Sequence, residues 1–191
     1  MVKIFCVNTQ TSKTFPEGTT LMDMLPSFDF ERPYPILCAK VNNVSQGLKY
    51  RAFNSRKVEF HDYTSYLGRS VYCNSLCFLL CKAAKDVFPD CRVILRRPIS
   101  KGYFCSIDKG DGAELSISDL DMIKRRMLEL VEADIPFRRH EVLLDEAIEL
   151  FRSLGYEDKV KLLETSGDVY VNYYTLEDTP DYYYDALLSS T

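Results

Sequence analysis

The sequence predicts an α+β fold in two parts: a small half-open sheet wrapped around one helix, then a second part of long helices and antiparallel strands. Short strand-like runs separated by turn residues fill residues 1–61. A boundary fits best within residues 62–69. Beyond it, long runs with apolar residues at helical spacing alternate with shorter strand-like runs. The predicted domains are residues 1–62 and residues 66–191.

Turn and cap signals define the elements of the first part. Pro16-Glu17-Gly18 ends a short strand, and Thr19 or Thr20 can cap a helix whose apolar positions extend to Phe28. Asn42-Asn43 is a turn signal. The strands predicted here cover residues 2–7, 13–15, 35–41, 44–46 and 57–61.

The second part opens with an apolar run that predicts a buried helix, stopped by Pro89. Ser118-Asp119-Leu120-Asp121 gives the next helix an acidic first turn, and Gly155 closes a third. The predicted helices are residues 70–88, 118–131, 144–154 and 157–163, and the strands are residues 91–95, 103–107, 137–140 and 169–173. Residues 179–191 are predicted to be irregular.

Composition limits the possible functions. The chain has 191 residues, of which 46% are hydrophobic and 27% charged, as in ordinary globular proteins. Its net charge of -4 argues against strong binding to nucleic-acid phosphates, although a local basic patch stays open. An odd number of cysteines, the lack of a secretory leader and the lack of a long apolar run predict free thiols, a cytoplasmic location and no membrane partner.

Cysteine and histidine are the first candidates for chemistry. Cys73, Cys77 and Cys81 are four residues apart and share one face of the predicted helix. A thiolate cluster for metal is one interpretation, but zinc prefers closer pairs, so we favour small core residues and expect no metal. His61 and His140 are far apart in sequence, and neither is expected to act directly in chemistry.

Arg96, Arg97 and Lys101, with Arg92 nearby, form the clearest basic cluster. Two interpretations of this cluster are equally supported: it captures a phosphate or carboxylate, or it is a solvated hairpin tip. The other charged residues are expected on solvated helix faces: Lys124-Arg125-Arg126, Glu141, Asp145, Glu146 and Glu149. The tyrosines Tyr182-Tyr183-Tyr184 are expected in an interface or in a stripe of core residues. No glycine-rich phosphate loop ending in Gly-Lys-Ser or Gly-Lys-Thr occurs in the sequence.

Two collinear stretches resemble the N-terminal region of threonyl-tRNA synthetases. Residues 1–61 are similar to a TGS domain, a β-grasp (ubiquitin-like) module, through the opening strand, Phe15-Pro16-Glu17-Gly18-Thr19-Thr20 and Ala39-Lys40-Val41-Asn42-Asn43. The second stretch, residues 70–165, resembles the editing-type domain through Asn74–Pro89, the Arg97-Pro98-Ile99 to Gly102-Tyr103-Phe104 hairpin, Asp119–Leu130 and Asp145–Phe151. The resemblance implies a β-grasp module followed by a two-layer α/β sandwich.

The departures from that family bear directly on function. The family's editing site places a His-x-x-x-His pair on the long helix, whereas this chain has Asn74 and Phe78 there. The family's later Cys and His also find no match after Val169. Since a phenyl ring can neither bind a metal nor move a proton, we expect no catalytic residues and no editing activity.

The same pair of modules also resembles the N-terminal half of bacterial uridine (nucleoside) kinases. That resemblance implies a non-catalytic, ligand- or RNA-binding regulatory region, with ATP and Mg²⁺ bound by a downstream kinase domain outside this chain. Its candidate ligand site is Asn74, Phe78, Arg96, Arg97 and Lys101. The alternatives are a divergent aminoacyl-tRNA deacylase using Cys73, Cys77 or His140, and a fragment of a threonyl-tRNA synthetase.

Overall fold

The computed structural model describes residues 1–99, 102–110 and 112–191, and only the backbone of residues 97–99. It has a mixed α+β architecture with several sheets, as predicted. Its first part contains seven strands: β1 Val2–Cys6, β2 Thr11–Phe15, β3 Thr19–Thr20, β4 Ile36–Val41, β5 Val44–Gly47, β6 Arg51–Ala52 and β7 Arg56–Asp62.

Five of these strands form one sheet in the order β2-β1-β7-β4-β5. The pairing of β1 with β7 is parallel, and the other neighbours are antiparallel. Strands β3 and β6, which the sequence analysis missed, pair as a separate two-stranded ribbon. Side chains from the sheet and from the first helix form one apolar core, which includes Ile4, Leu21, Phe28 and Val58.

Helix α1, Leu21–Met24, is shorter than predicted. The Thr20 side chain caps it by accepting a hydrogen bond from the Asp23 amide, as the sequence indicated. Pro26 has no N–H to continue the helix, and Leu25–Ser27 forms a 3-10 turn instead. Phe28 therefore lies beyond the helix, although it is still buried in the core.

The second part begins with the longest helix, α2, Tyr66–Val87, which Ser65 caps. It starts four residues before the predicted position. The helix is also less enclosed than predicted, since Tyr66, Tyr72 and Leu76 are exposed. The later elements are β8 Arg92–Ile99, β9 Gly102–Asp108, α3 Ile117–Glu132, β10 Phe137–Leu143, α4 Leu144–Ser153, α5 Glu157–Glu164, β11 Tyr170–Leu176 and β12 Thr179–Asp181.

Strands β10, β11 and β12 form an antiparallel sheet, and β8 with β9 forms a separate hairpin. Helices α2 and α3 share a core with Phe137, Tyr174 and Leu176. Helices α4 and α5 pack on β11 through a second core that includes Phe151 and Leu163. The prediction of an irregular end was wrong at Thr179–Asp181, which adds a third strand to the sheet.

An ion network ties α2 to α3 and to the turn between β11 and β12. The almost fully buried Lys82 amine lies 2.8 Å from Asp86, 2.8 Å from Asp178 and 3.2 Å from Glu177. Arg126 on α3 reaches the same Asp86 at 2.8 Å. Arg126 is thus held in a network, whereas Lys124 and Arg125 lie on an exposed helix face, as predicted.

The C-terminal segment, residues 185–191, runs between the two parts. Ala186 is buried with Cys38 of β4 and Val71 of α2. The backbone of Leu188 donates to the Ser75 hydroxyl on α2, and Thr191 accepts from the Ile135 amide before β10. This segment is therefore a structural element of the junction, and not an unpacked end. Within the described residues, no helix is long and apolar enough to cross a membrane.

Candidate functional site

Phe78 lies at the centre of the site that the sequence predicts. Its side chain is fully buried on α2, with its ring centroid 5.7 Å from that of Phe137 and 5.6 Å from that of Tyr183. Asn74, one turn earlier, is half-buried. Phe78 therefore fills space inside the core, as the sequence analysis expected of a phenyl ring, and has no exposed surface for a ligand to contact.

Cys73, Cys77 and Cys81 form a cysteine stripe along α2. Cys77 lies near Cys105 of β9, and both Cys77 and Cys81 lie near Tyr183. Burial raises the pKa of both Cys77 and Cys81 to about 11, so that both thiols are protonated at neutral pH. The protonated form neither attacks carbonyl carbon nor binds metal readily. Both thiols lie near Tyr183, whose pKa burial also raises.

The basic cluster is only partly within the described structure. Arg96 is exposed on β8, and Arg92 is also exposed on that strand. The Arg97 side chain and Lys101 lie outside the described residues. Among the described side chains, no hydrogen bond or ion pair joins Arg96 to Asn74, and their grouping in one ligand site stays a prediction.

Two lysines that the sequence analysis missed lie beside the stripe. The Lys85 amine on α2 donates to the Tyr156 hydroxyl, and the Lys159 amine on α5 lies 4.9 Å from the centre of the Tyr156 ring. Burial lowers the pKa of Lys159 to about 8, while the Cys81 thiol and the Asp158 carboxylate act in the opposite direction. The Lys159 amine also contacts the buried carboxylate of Asp181. The spacing of residues in the sequence cannot predict that Lys85, Lys159 and Asp181 lie together, because α5 and Asp181 approach α2 only in the folded chain.

The two histidines lie in different environments. His140 on β10 stacks on Tyr173 with 4.8 Å between ring centroids, and its Nε2 is 2.9 Å from the Thr175 hydroxyl. His61 on β7 is largely shielded, and its Nε2 has no hydrogen-bond partner within the described residues. Burial lowers the pKa of His61 below its ordinary value of 6.5, while Glu59, with Oε2 3.8 Å away, acts in the opposite direction.

We expect His61 to make the protein less stable as the pH falls. The native state keeps this ring neutral below pH 6.5, where the unfolded chain binds a proton, so that unfolding takes up a proton. The midpoint temperature of thermal unfolding should therefore decrease as the pH is lowered from 7.5 to about 5.5. A His61→Gln variant should show a shallower dependence. Parallel curves for the two proteins would contradict this assignment.

A second site lies in a cleft between the two parts, with a volume of about 630 Å³. Strand β5, at the edge of the first sheet, supplies one wall through Gln46 and Gly47, and the loop after it adds Lys49. Strand β10, at the edge of the other sheet, supplies the opposite wall through Phe137–His140. Residues 187–189 of the C-terminal segment also line the cleft.

Three cations line this cleft: Lys49, Arg138 and Arg139. None of the described residues that line it is acidic. The sequence analysis did not single out these cations, because Lys49 and the arginine pair are about ninety positions apart in the chain. Only the docking of β10 against β5 brings them into one cleft.

Comparison with curated proteins gives threonine–tRNA ligases as homologues. The chain is 26% identical to that of Azobacteroides pseudotrichonymphae over 175 residues, which are 92% of this chain and 27% of the relative. Identity to the protein from Desulforamulus reducens is 26%, over 88% of this chain and 26% of the relative. For Syntrophotalea carbinolica it is 31%, over 88% of this chain and 26% of the relative.

The chain thus spans about a quarter of the length of these relatives. No model of a known protein family matches it. The relatives support the resemblance to the threonyl-tRNA synthetase region, and the mixed α+β architecture is consistent with it. They give no support to a uridine kinase parent, and they favour the synthetase alternative stated from the sequence.

Proposed function

We propose that this chain is a non-catalytic accessory region of the threonyl-tRNA synthetase type, which binds an RNA end or a small ligand and does not hydrolyse it. One observation carries the proposal. Where the resembling editing domain has an imidazole, the fully buried Phe78 ring packs against Phe137 and Tyr183. A site filled by carbon atoms has no group that can activate water.

The finer structural assignment is part of the same proposal. The order β2-β1-β7-β4-β5, with a parallel central pair and a short helix whose apolar side chains join the sheet's core, supports a β-grasp module of the TGS type for residues 1–62. Residues 66–191 would then be the degenerate editing-type domain. A cytoplasmic location is proposed with it, since the relatives are tRNA ligases.

The kinase parent remains an inference from the sequence resemblance alone. It would add a downstream partner domain with ATP and Mg²⁺. Part of the tyrosine-rich segment already packs within this chain: Tyr183 packs on Phe78 and Leu187 is buried in the same core, whereas Tyr184 is exposed. The relatives are threonine–tRNA ligases and give no support to a kinase. We therefore place the synthetase-type reading first.

Deacylation of mischarged threonine tRNA tests the absence of catalysis. The chain should release the amino acid no faster than buffer alone, because neither Asn74 nor Phe78 can move a proton in the required way. Brief alkaline treatment of the same substrate, which cleaves the ester chemically, verifies that it was intact. Release above background would contradict the proposal.

A divergent deacylase is the second candidate, and Lys159 is the observation that favours it. Burial lowers the pKa of this amine to about 8, which favours a neutral fraction that can accept a proton, while the contact with the Asp181 carboxylate favours the charged form. Any activity in the assay should then disappear in Lys159→Met and persist in Lys161→Met, which removes a neighbouring amine from the same helix. Loss in both variants, or in neither, would exclude Lys159 as the active group.

A further inference from the structure

We propose that the cleft between β5 and β10 is a binding site for phosphate groups. Its volume of about 630 Å³ lies within the range of small-ligand pockets, roughly 300–1,000 Å³. The cleft adjoins the Phe78 core, since Phe137, Tyr174 and Leu187 belong to both, and its described lining does not include Arg96. It does not depend on whether the chain hydrolyses esters.

The first argument is that two cations of the cleft, Lys49 and Arg139, are hydrogen-bonded to neutral groups and not to carboxylates of the described residues. Arg139 donates from Nη1 to Gln46 Oε1 at 2.6 Å and from Nε to Asn172 Oδ1 at 2.9 Å. Both acceptors are neutral amides, so they orient the guanidinium without cancelling its charge. The Lys49 amine donates to the backbone carbonyl of Ser189 at 2.9 Å, which is also neutral.

Arg138 adds a third positive charge. It is exposed, and no ion pair to it is found among the described residues. Elsewhere in the same chain, buried or half-buried cations such as Lys82 and Arg126 are matched by carboxylates. A cleft lined by three cations without carboxylate partners in the described part of the chain favours an anion. The Arg139 guanidinium is held in place through Nε and Nη1, so its Nη2 donors are the ones that a phosphate oxygen would accept from.

The second argument concerns hydrogen-bond donors near the cations. Ser189 lines the cleft, and its hydroxyl is shielded from solvent without a hydrogen-bond partner among the described residues. A shielded hydroxyl without a partner is costly, and an oxyanion in the cleft becomes its acceptor only if the Ser189 side chain turns towards the cleft. The Asp185 carboxylate acts on Tyr174, which lines the cleft, so one counter-charge lies near the three cations.

Two sources can supply the phosphate: the phosphodiester backbone of RNA, or the phosphomonoester of a free mononucleotide. Both would use the same cations. Titration of the isotope-labelled chain with inorganic phosphate, with adenosine monophosphate and with a single-stranded RNA of twelve nucleotides, followed by NMR of backbone amides, separates them. Shifts at residues 138–140 and 47–50 with the small probes indicate the monoester, and shifts there with RNA alone indicate the diester.

The cleft variants are Lys49→Gln and Arg138→Gln. Arg138 is exposed and has no hydrogen bond or ion pair among the described residues, whereas Lys49 also donates to the Ser189 carbonyl. Each should weaken binding of the responding probe about tenfold, as expected for one lost charge-assisted hydrogen bond. If RNA responds, the logarithm of its association constant should fall with the logarithm of salt concentration with a slope of about -2, for three phosphate contacts.

Lys124→Gln combined with Arg125→Gln is the matched control, because it removes two exposed charges on α3 that are not cleft residues. Circular dichroism verifies that every variant is folded. The proposal is overturned if none of the three probes shifts the cleft amides, or if the control weakens binding as much as the cleft variants do.

Discussion

Replacing Phe78 by alanine is expected to lower the free energy of unfolding by about 3–5 kcal/mol. The ring is fully buried on α2, and it contacts the aromatic rings of Phe137 on β10 and of Tyr183, which precedes the C-terminal segment. Truncation removes its apolar surface and leaves a cavity where three elements meet, so the surrounding side chains cannot collapse into it easily. Urea denaturation followed by circular dichroism measures the change.

Phe104→Ala is the matched control for this prediction. Phe104 lies on β9 with 51% of its surface exposed, so the same truncation should cost less than about 1 kcal/mol. Equal losses for the two variants would mean that the Phe78 ring does not support the core in the way the structure indicates. Such a result would also weaken the proposal that this ring replaces a catalytic group.

Gly68→Ala is expected to destabilise the protein by at least about 2 kcal/mol, although alanine is usually the better helix residue. Gly68 lies in the first turn of α2, against the end of β7. A Cβ atom there would lie 1.9 Å from the carbonyl oxygen of Asp62 and 2.6 Å from its carbon. Because both atoms belong to the backbone, relief requires α2 to move away from the first part.

Gly102→Ala separates this clash from the general effect of replacing glycine. A Cβ at Gly102 meets no atom of the described residues within 4 Å, so its substitution should change the unfolding free energy by no more than about 0.5 kcal/mol. Thermal unfolding of both variants measures the difference. A Gly68→Ala protein as stable as the original would show that the contact between α2 and β7 is looser than described.

The sequence predicted the order of most elements because local signals specify them. Thr20 as a helix cap, Pro89 after α2 and Gly155 after α4 act through their own backbone chemistry, and the structure confirms the helices that they bound. The prediction failed where local signals compete. The spacing of apolar residues predicted a helix as far as Phe28. Because Pro26 has no N–H for the helix, Leu25–Ser27 forms a 3-10 turn in place of the second half of that helix.

The candidate sites were less predictable, because they depend on contacts between distant segments. A helical repeat places Asn74 and Phe78 on α2, but it does not reveal that Tyr183 covers Phe78. Lys159 has no unusual sequence context, and its lowered pKa results from burial against α2. Arg139 was not singled out in the sequence, yet the distant Gln46 fixes its guanidinium in the cleft.

The C-terminal segment has a consequence for cooperativity. Ala186 contacts both β4 and α2, Leu187 is buried in the core of the second part, and the carbonyl of Ser189 accepts a hydrogen bond from Lys49 of the first. Neither part can open without exposing apolar surface that the other part covers. We therefore expect the amides of β5 and of β10 to exchange through one shared opening reaction, with the two parts unfolding together.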